Sequence, residues 1–319
     1  MPILYSNITL LKATSTFALW RTLKTSSRGP TFFADHVGVL CVAESAYTPH
    51  LAEILRICIN ISSLTFWTIP TSLCRYGSLA PSTSQTTSPR LFIDPLKKCP
   101  TTEAVQFPLF PTEAFDTIRP KQIAASFRTD GTFFPHPNFS QPLFTFVTHL
   151  SVLNPWEDWT YWDNFDQLPS LTHLALDLNL ALRRSSRPVN RKDRGQVEHD
   201  NDAARRALVS KLRHILQSCP KLQVCVLVLL FDNMPLLTVN KISCTFLTLG
   251  KEEEHAFPFI NPTLDPRLVF VQNTESLRTR RADSEYEAAM WKKAEARVVE
   301  QSTLAQGVCC LPLPVIGNP

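Results

Sequence analysis

The chain has 319 residues, 44% of them hydrophobic, with 32 basic and 28 acidic side chains, a net charge of +4. That length suits one large domain or two ordinary ones with a sizeable core, and so small a charge argues against a nucleic-acid binder or a strongly acidic partner. The 25 prolines against 8 glycines imply short, stiff connections, and the nine cysteines show no framework spacing, so reduced thiols and an intracellular location, cytoplasmic or nuclear, are expected. The first apolar stretch is broken by Lys12 with no basic residue before it, so no secretory leader is expected. The longest apolar run, Val224–Phe231, falls well short of the roughly 20 residues that a membrane-spanning helix needs.

In chain order, "LYSNITLL" reads as a strand and "STFALWRTL" as a helix. Val37, Leu40 and Val42 then give the phrase L-x-x-L-x-L. "TPHLAEILRIC" reads as a helix with Pro49 near its start, and it leads into a second copy at Ile61, Leu64 and Phe66. A weak copy sits in "SPRLFI" and a degraded one around "KQIAASF". Val147, Leu150 and Val152 form another copy, and Leu171, Leu174 and Leu176 form the cleanest. "DAARRALVSKLRHILQSC", with Asp202 as a plausible N-cap, is a helix that Pro220 must stop. Leu222, Cys225 and Leu227 repeat the phrase again, "DPRLVFV" gives a final strand, and "DSEYEAAMWKKAEARVVEQ", with Asp283 as cap, gives a final helix.

The copies beginning at Val37 and Ile61, and those at Val147 and Leu171, are separated by the same interval, within the roughly 20–29 residues of a leucine-rich repeat. No single unit of this kind can bury its own apolar face, so stacking must supply the core. The expected fold is therefore α/β: an irregular leucine-rich-repeat-like solenoid with stacked, mostly parallel strands and outer helices. One domain is expected over 1–301, with loop insertions near 75–89, 107–142 and 183–201. A disordered tail is expected over 302–319.

On these motifs the chain resembles a group of leucine-rich-repeat-like, F-box-associated proteins of mushroom-forming fungi. The resemblance rests on "CPKLQVCVL", "FADHVGVLCV", "FTFVTHLSVLNPWEDW", "LPSLTHLAL" and "DPRLVFV" and spans most of Met1 to about Gln301. It implies a repeat fold and carries no activity with it. Some relatives bear an N-terminal F-box, the helical module that docks on a ubiquitin-ligase scaffold. The region before Val37 departs from that module, with a strand and a helix in place of a leucine–proline helix start.

The expected function is thus a protein–protein interaction scaffold with a protein partner. The alternative is a substrate-recognition domain of a ubiquitin ligase lacking its docking module, with an enzyme a distant third. The chain shows no G-x-S-x-G elbow, no glycine-rich phosphate loop and no H-E-x-x-H, so no catalytic residue, cofactor or metal ligand is expected. Cys58 and Cys219 fall at two helix–strand joints, where packing is the favoured reading over a metal.

Five residues are candidate partner contacts: Trp156, Trp159, Trp162, His149 and His173. The tryptophans sit in "NPWEDWTYWDNFDQLP" among carboxylates, which suits aromatic anchoring of a basic or amphipathic partner. The favoured reading is an insertion whose tryptophans fold back onto strand ends. His149 and His173 hold the same place in two copies of the phrase, so stacking would set them side by side on an exposed face. Arg183–Arg206 is either a nuclear-import or nucleic-acid patch or, as favoured, a solvated loop.

Overall fold

The computed structural model describes residues 5–46, 48–69, 74–75, 112–127, 136–179, 207–230, 265–273 and 284–309. Its strands are β1 (Asn7–Leu10), β2 (Val39–Val42), β3 (Ser63–Ile69), β4 (Cys74–Arg75), β5 (Gln122–Phe127), β6 (His136–Pro137), β7 (His149–Val152), β8 (His173–Asn179), β9 (Val224–Leu230) and β10 (Leu268–Asn273). Eight of them form one sheet in the order β1-β2-β3-β5-β7-β8-β9-β10, every neighbouring pair parallel. The short strands β4 and β6 pair antiparallel with each other. The helices are α1 (Ala13–Thr25), α2 (Gly29–His36), α3 (Pro49–Ile57), α4 (Trp156–Trp159), α5 (residues 207–218) and α6 (Ser284–Cys309).

The register explains the sequence phrase. Ile8, Leu40, Leu64, Ile123, Leu150, Leu174, Cys225 and Leu268 stand in one row across the sheet. Two residues on, Leu10, Val42, Phe66, Ala125, Val152, Leu176, Leu227 and Phe270 form a parallel row on the same side, as the two-residue period of a strand requires. "NITL" and "KQIAASF" are therefore full members, β1 and β5. "SPRLFI" lies outside the described residues, as do segments 76–89 and 183–201.

These rows form the larger core together with Leu23 of α1, Phe33 of α2, Leu51, Ile54 and Leu55 of α3, and Leu208, Leu212, Ile215 and Leu216 of α5. Each fully buried leucine of this kind stabilises the fold by about 1.5–3 kcal/mol. α3 begins with Pro49 at its first turn, where the missing N–H costs nothing, and it closes with the Cys58 N–H on the Ile54 carbonyl. α2 begins at Gly29, whose φ of 75° is the left-handed conformation that glycine tolerates best. The first apolar place of the phrase is also buried: Val37, Ile61, Val147, Leu171 and Leu222. In the last unit Asp265 takes that place. Arg267 answers it, with Nε donating to Oδ1 at 2.9 Å and Nη2 to Oδ2 at 2.7 Å. The Arg267 guanidinium also donates to the Leu216 and Leu222 carbonyls.

A polar ladder runs along the strand starts. Backbone N–H groups of Gly38, Ser62, Lys121, Thr148, Thr172 and Gln223 each donate to the preceding unit, on Ser6, Gly38, Ser62, Lys121, Thr148 and Thr172. The hydroxyls of Ser62 and Thr172 add bonds to carbonyls 24 residues earlier.

α6 does not join the other helices. It packs on the opposite side of the sheet, where Met290, Trp291 and Ala294 form a second core with Ala175, Val224, Val226, Val228 and Val269. The helix runs past Gln301, its expected end, through Cys309. Asp283, its expected cap, lies outside the described residues, as does Asp202, the expected cap of α5. Among the described residues no helix is long and apolar enough to cross a membrane.

Candidate functional site

The tryptophan-rich segment folds inward. Trp159 and Trp162 have no exposed surface, and Trp156 is half-buried against the larger core. The Trp159 indole N–H donates to the Asp177 carbonyl on β8 at 2.9 Å. Trp162 meets Phe127 of β5 edge-on at 5.4 Å and also lies against Phe139 and Phe165. Buried aromatics with these contacts are packing elements, and Trp159 and Trp162 are removed from the set of candidate surface anchors. Asn154 fixes the segment. Its side chain accepts from the Phe127 N–H and donates to the Phe127 carbonyl, both at 2.6 Å, and donates to Asp158 at 3.0 Å. Burial pushes the Asp158 carboxyl above its usual range. Lys211 of α5 reaches Asp163 at 2.5 Å, so one of the segment's acids serves an internal ion pair.

His149 and His173 do stand side by side, as the repeat register demands. Their rings stack at 4.1 Å with 9° between planes. They are not on an open face. His173 is buried, His149 is half-buried, and the Trp291 ring of α6 lies edge-on to both, at 5.6 and 5.4 Å. The expectation of two solvent-facing histidines fails because α6 covers that end of the strand face. Glu295, one turn beyond Trp291, places a carboxylate oxygen 3.2 Å from His173 Nε2. Farther along the helix, the Ser151 hydroxyl of β7 donates to Glu287 at 2.7 Å.

Burial and the neighbouring His173 push His149 down to about 4. Burial also lowers His173, against the opposing pull of Glu295. His149, His173 and Glu295 each bring a metal-ligating atom within 4.8 Å of the others. Sequence reading found the two histidines through their shared place in the phrase. It missed Glu295, Trp291, Glu287 and Asn154. A stripe of Met290, Trp291, Ala294 and Val298 among charged residues signals a packed helix, and nothing in it names the surface it meets.

The rest of the strand face is open. Beyond the covered strands, Asn7, Thr9 and Gln122 are exposed, and Val39, Ser63 and Thr65 are half-buried, while Cys41 and Ala124 are shielded by larger neighbours. No described element packs over β1–β5 on this side. Cys58, Cys219 and Cys225 are buried in the larger core, and burial raises all three thiols, Cys58 and Cys225 to about 12, which keeps them protonated and poorly nucleophilic.

No family model matches the chain, and searches of the curated proteins and of the solved structures return no match.

Proposed function

We propose that the chain is an irregular leucine-rich-repeat-like solenoid that acts as a protein–protein interaction scaffold, presenting the open half of its strand face to a protein partner. One observation carries this reading. The same strand phrase recurs in register across a chain-ordered parallel sheet, and its non-core positions on β1, β3 and β5 include the polar Asn7, Thr9, Ser63, Thr65 and Gln122, over which no described element packs. Stacked repeats make extended faces of this sort, which suit macromolecular partners better than small ligands. Asn7, Thr9, Ser63, Thr65 and Gln122 are uncharged hydrogen-bonding groups. They favour a partner surface that is polar and carries little charge.

The test is affinity capture with mass spectrometry, comparing wild type with Thr65→Arg and Gln122→Arg, and with Ala18→Glu on the exposed side of α1 as control. The reading expects a protein retained by wild type and by Ala18→Glu and reduced at least tenfold by the two strand-face variants. Failure to enrich any protein, or capture unaffected by the strand-face variants, would overturn it. Co-capture of a ubiquitin-ligase scaffold would assign the recognition to substrate selection.

A further inference from the structure

Polar groups hold each of the stacked histidines at its Nδ1 atom. The Thr148 hydroxyl lies 3.1 Å from the Lys121 carbonyl and 2.9 Å from His149 Nδ1, so when its hydrogen is on the carbonyl the ring's Nδ1–H donates to it. The Thr172 hydroxyl is placed in the same way, 3.1 Å from the Thr148 carbonyl and 2.8 Å from His173 Nδ1. In the neutral ring a proton on Nδ1 leaves a lone pair on Nε2. In that tautomer both imidazoles present Nε2 as a ligand atom, each ring held at Nδ1 by a threonine hydroxyl. Metal-ligating histidines are oriented in this way by an outer hydrogen-bond partner. The third group is Glu295, whose oxygen lies 3.2 Å from His173 Nε2. With the proton on Nε2 this contact is an Nε2–H···O hydrogen bond, and with the proton on Nδ1 a cation between the two atoms takes its place.

We propose that His149, His173 and Glu295 bind one divalent transition-metal ion of the zinc class, joining α6 to β7 and β8. Two histidines and one glutamate form a known zinc ligand set. Bound to a tetrahedral ion at about 2.0–2.2 Å, the ligand atoms stand roughly 3.3 Å apart. Here they lie within 4.8 Å of one another, so on binding the two rings tilt out of their parallel stack and the ligand atoms draw together by up to about 1.5 Å. Trp291 walls one side of the rings, and a water completes the four-coordinate set. Because Glu295 belongs to α6 and the histidines to the sheet, the ion acts as a staple between two elements far apart in sequence. The site does not depend on the partner reading above.

The experiment uses the full chain under reducing conditions, stripped with chelator and titrated with zinc and with cobalt(II). One zinc per chain is expected. Glu295→Gln, a neutral isostere at a half-exposed side chain, should weaken binding at least tenfold, and His149→Gln and His173→Asn should abolish it. Zinc should raise the Tm of wild type and leave that of Glu295→Gln unmoved, which separates the staple from misfolding of the histidine variants. The cobalt(II) form should show visible ligand-field bands without thiolate charge-transfer absorption. Absence of zinc from wild type, wild-type affinity in Glu295→Gln, or a thiolate spectrum placing the ion on cysteines would each overturn the proposal.

Discussion

The two halves of the sheet share one side and differ on the other. On the core side, Leu40 and Leu64 in β2 and β3 occupy the same row as Leu150 and Leu174 in β7 and β8, all without exposed surface. On the far side the intervening positions of the first half include the polar Asn7, Thr9, Ser63, Thr65 and Gln122, with Val39, Cys41 and Ala124 among them. In the second half they include Ala175, Val224, Val226, Val228 and Val269 beneath α6. A repeat phrase fixes only the positions that face the core, and the residues between them decide whether the other face meets water or another helix. β9 shows the outcome: its Val224–Val228 stretch is apolar on both sides because both sides are packed, the usual condition of a parallel strand between two layers.

Substitutions can test this contrast, beginning with the largest effect. Trp159→Ala should cost about 3–5 kcal/mol, since it empties a fully buried site and removes the hydrogen bond to the Asp177 carbonyl. Urea unfolding measures this, and a wild-type midpoint would show that the indole packs on nothing. Leu64→Ala and Leu174→Ala should each cost about 2–5 kcal/mol and should resemble one another, because the two leucines occupy one row in the two halves. A cost confined to Leu174 would mean that the first half does not share the core.

The far-side pair should split instead. Val226→Asp puts an unpaired carboxylate under α6 and should cost on the order of 3 kcal/mol, limited by release of the helix. Thr65→Asp, on the open half, should stay within about 0.5 kcal/mol. Equal costs would erase the distinction.

The smallest effect is in pH. In the fold His149 stays neutral down to about 4, whereas an unfolded histidine takes its proton near 6.5. Between those values the unfolded chain binds more protons, so stability is full above about 6.5 and falls as pH drops toward 4. The slope from this one group is at most about 1.4 kcal/mol per pH unit. In chelator, the wild-type Tm should fall more steeply over that window than the Tm of His149→Gln. Parallel profiles would show that the ring is not shielded by α6.

How much of this could be read in the sequence follows from the same contrast. The core rows were legible because Leu40, Leu64, Leu150 and Leu174 recur at fixed offsets that only a shared face explains. β5 was nearly lost because Ala125 stands where other units carry Val, Leu or Phe, and so the phrase thins without its register changing. The pairing of His149 with His173 was legible for the same reason as the leucines, through position in the phrase. Their burial was not, since it depends on Trp291 and Glu295, more than a hundred residues away in the chain. The tryptophan segment was ambiguous in principle: aromatics among acids look alike whether they face solvent or a carbonyl such as that of Asp177. The packing reading was the one the fold adopts.

The account turns on α6 lying across the second half of the strand face, and hydroxyl-radical footprinting with mass spectrometry addresses this most directly. Met290 and Trp291 are intrinsically reactive side chains that retain only 3% and 5% of their exposure. They should be oxidised about as slowly as the buried Trp159 and far more slowly than the exposed Tyr161, and Val226→Asp should release that protection. Rapid oxidation of Met290 and Trp291 in the wild-type chain, at a rate matching Tyr161, would contradict the covered half and with it the division of the sheet.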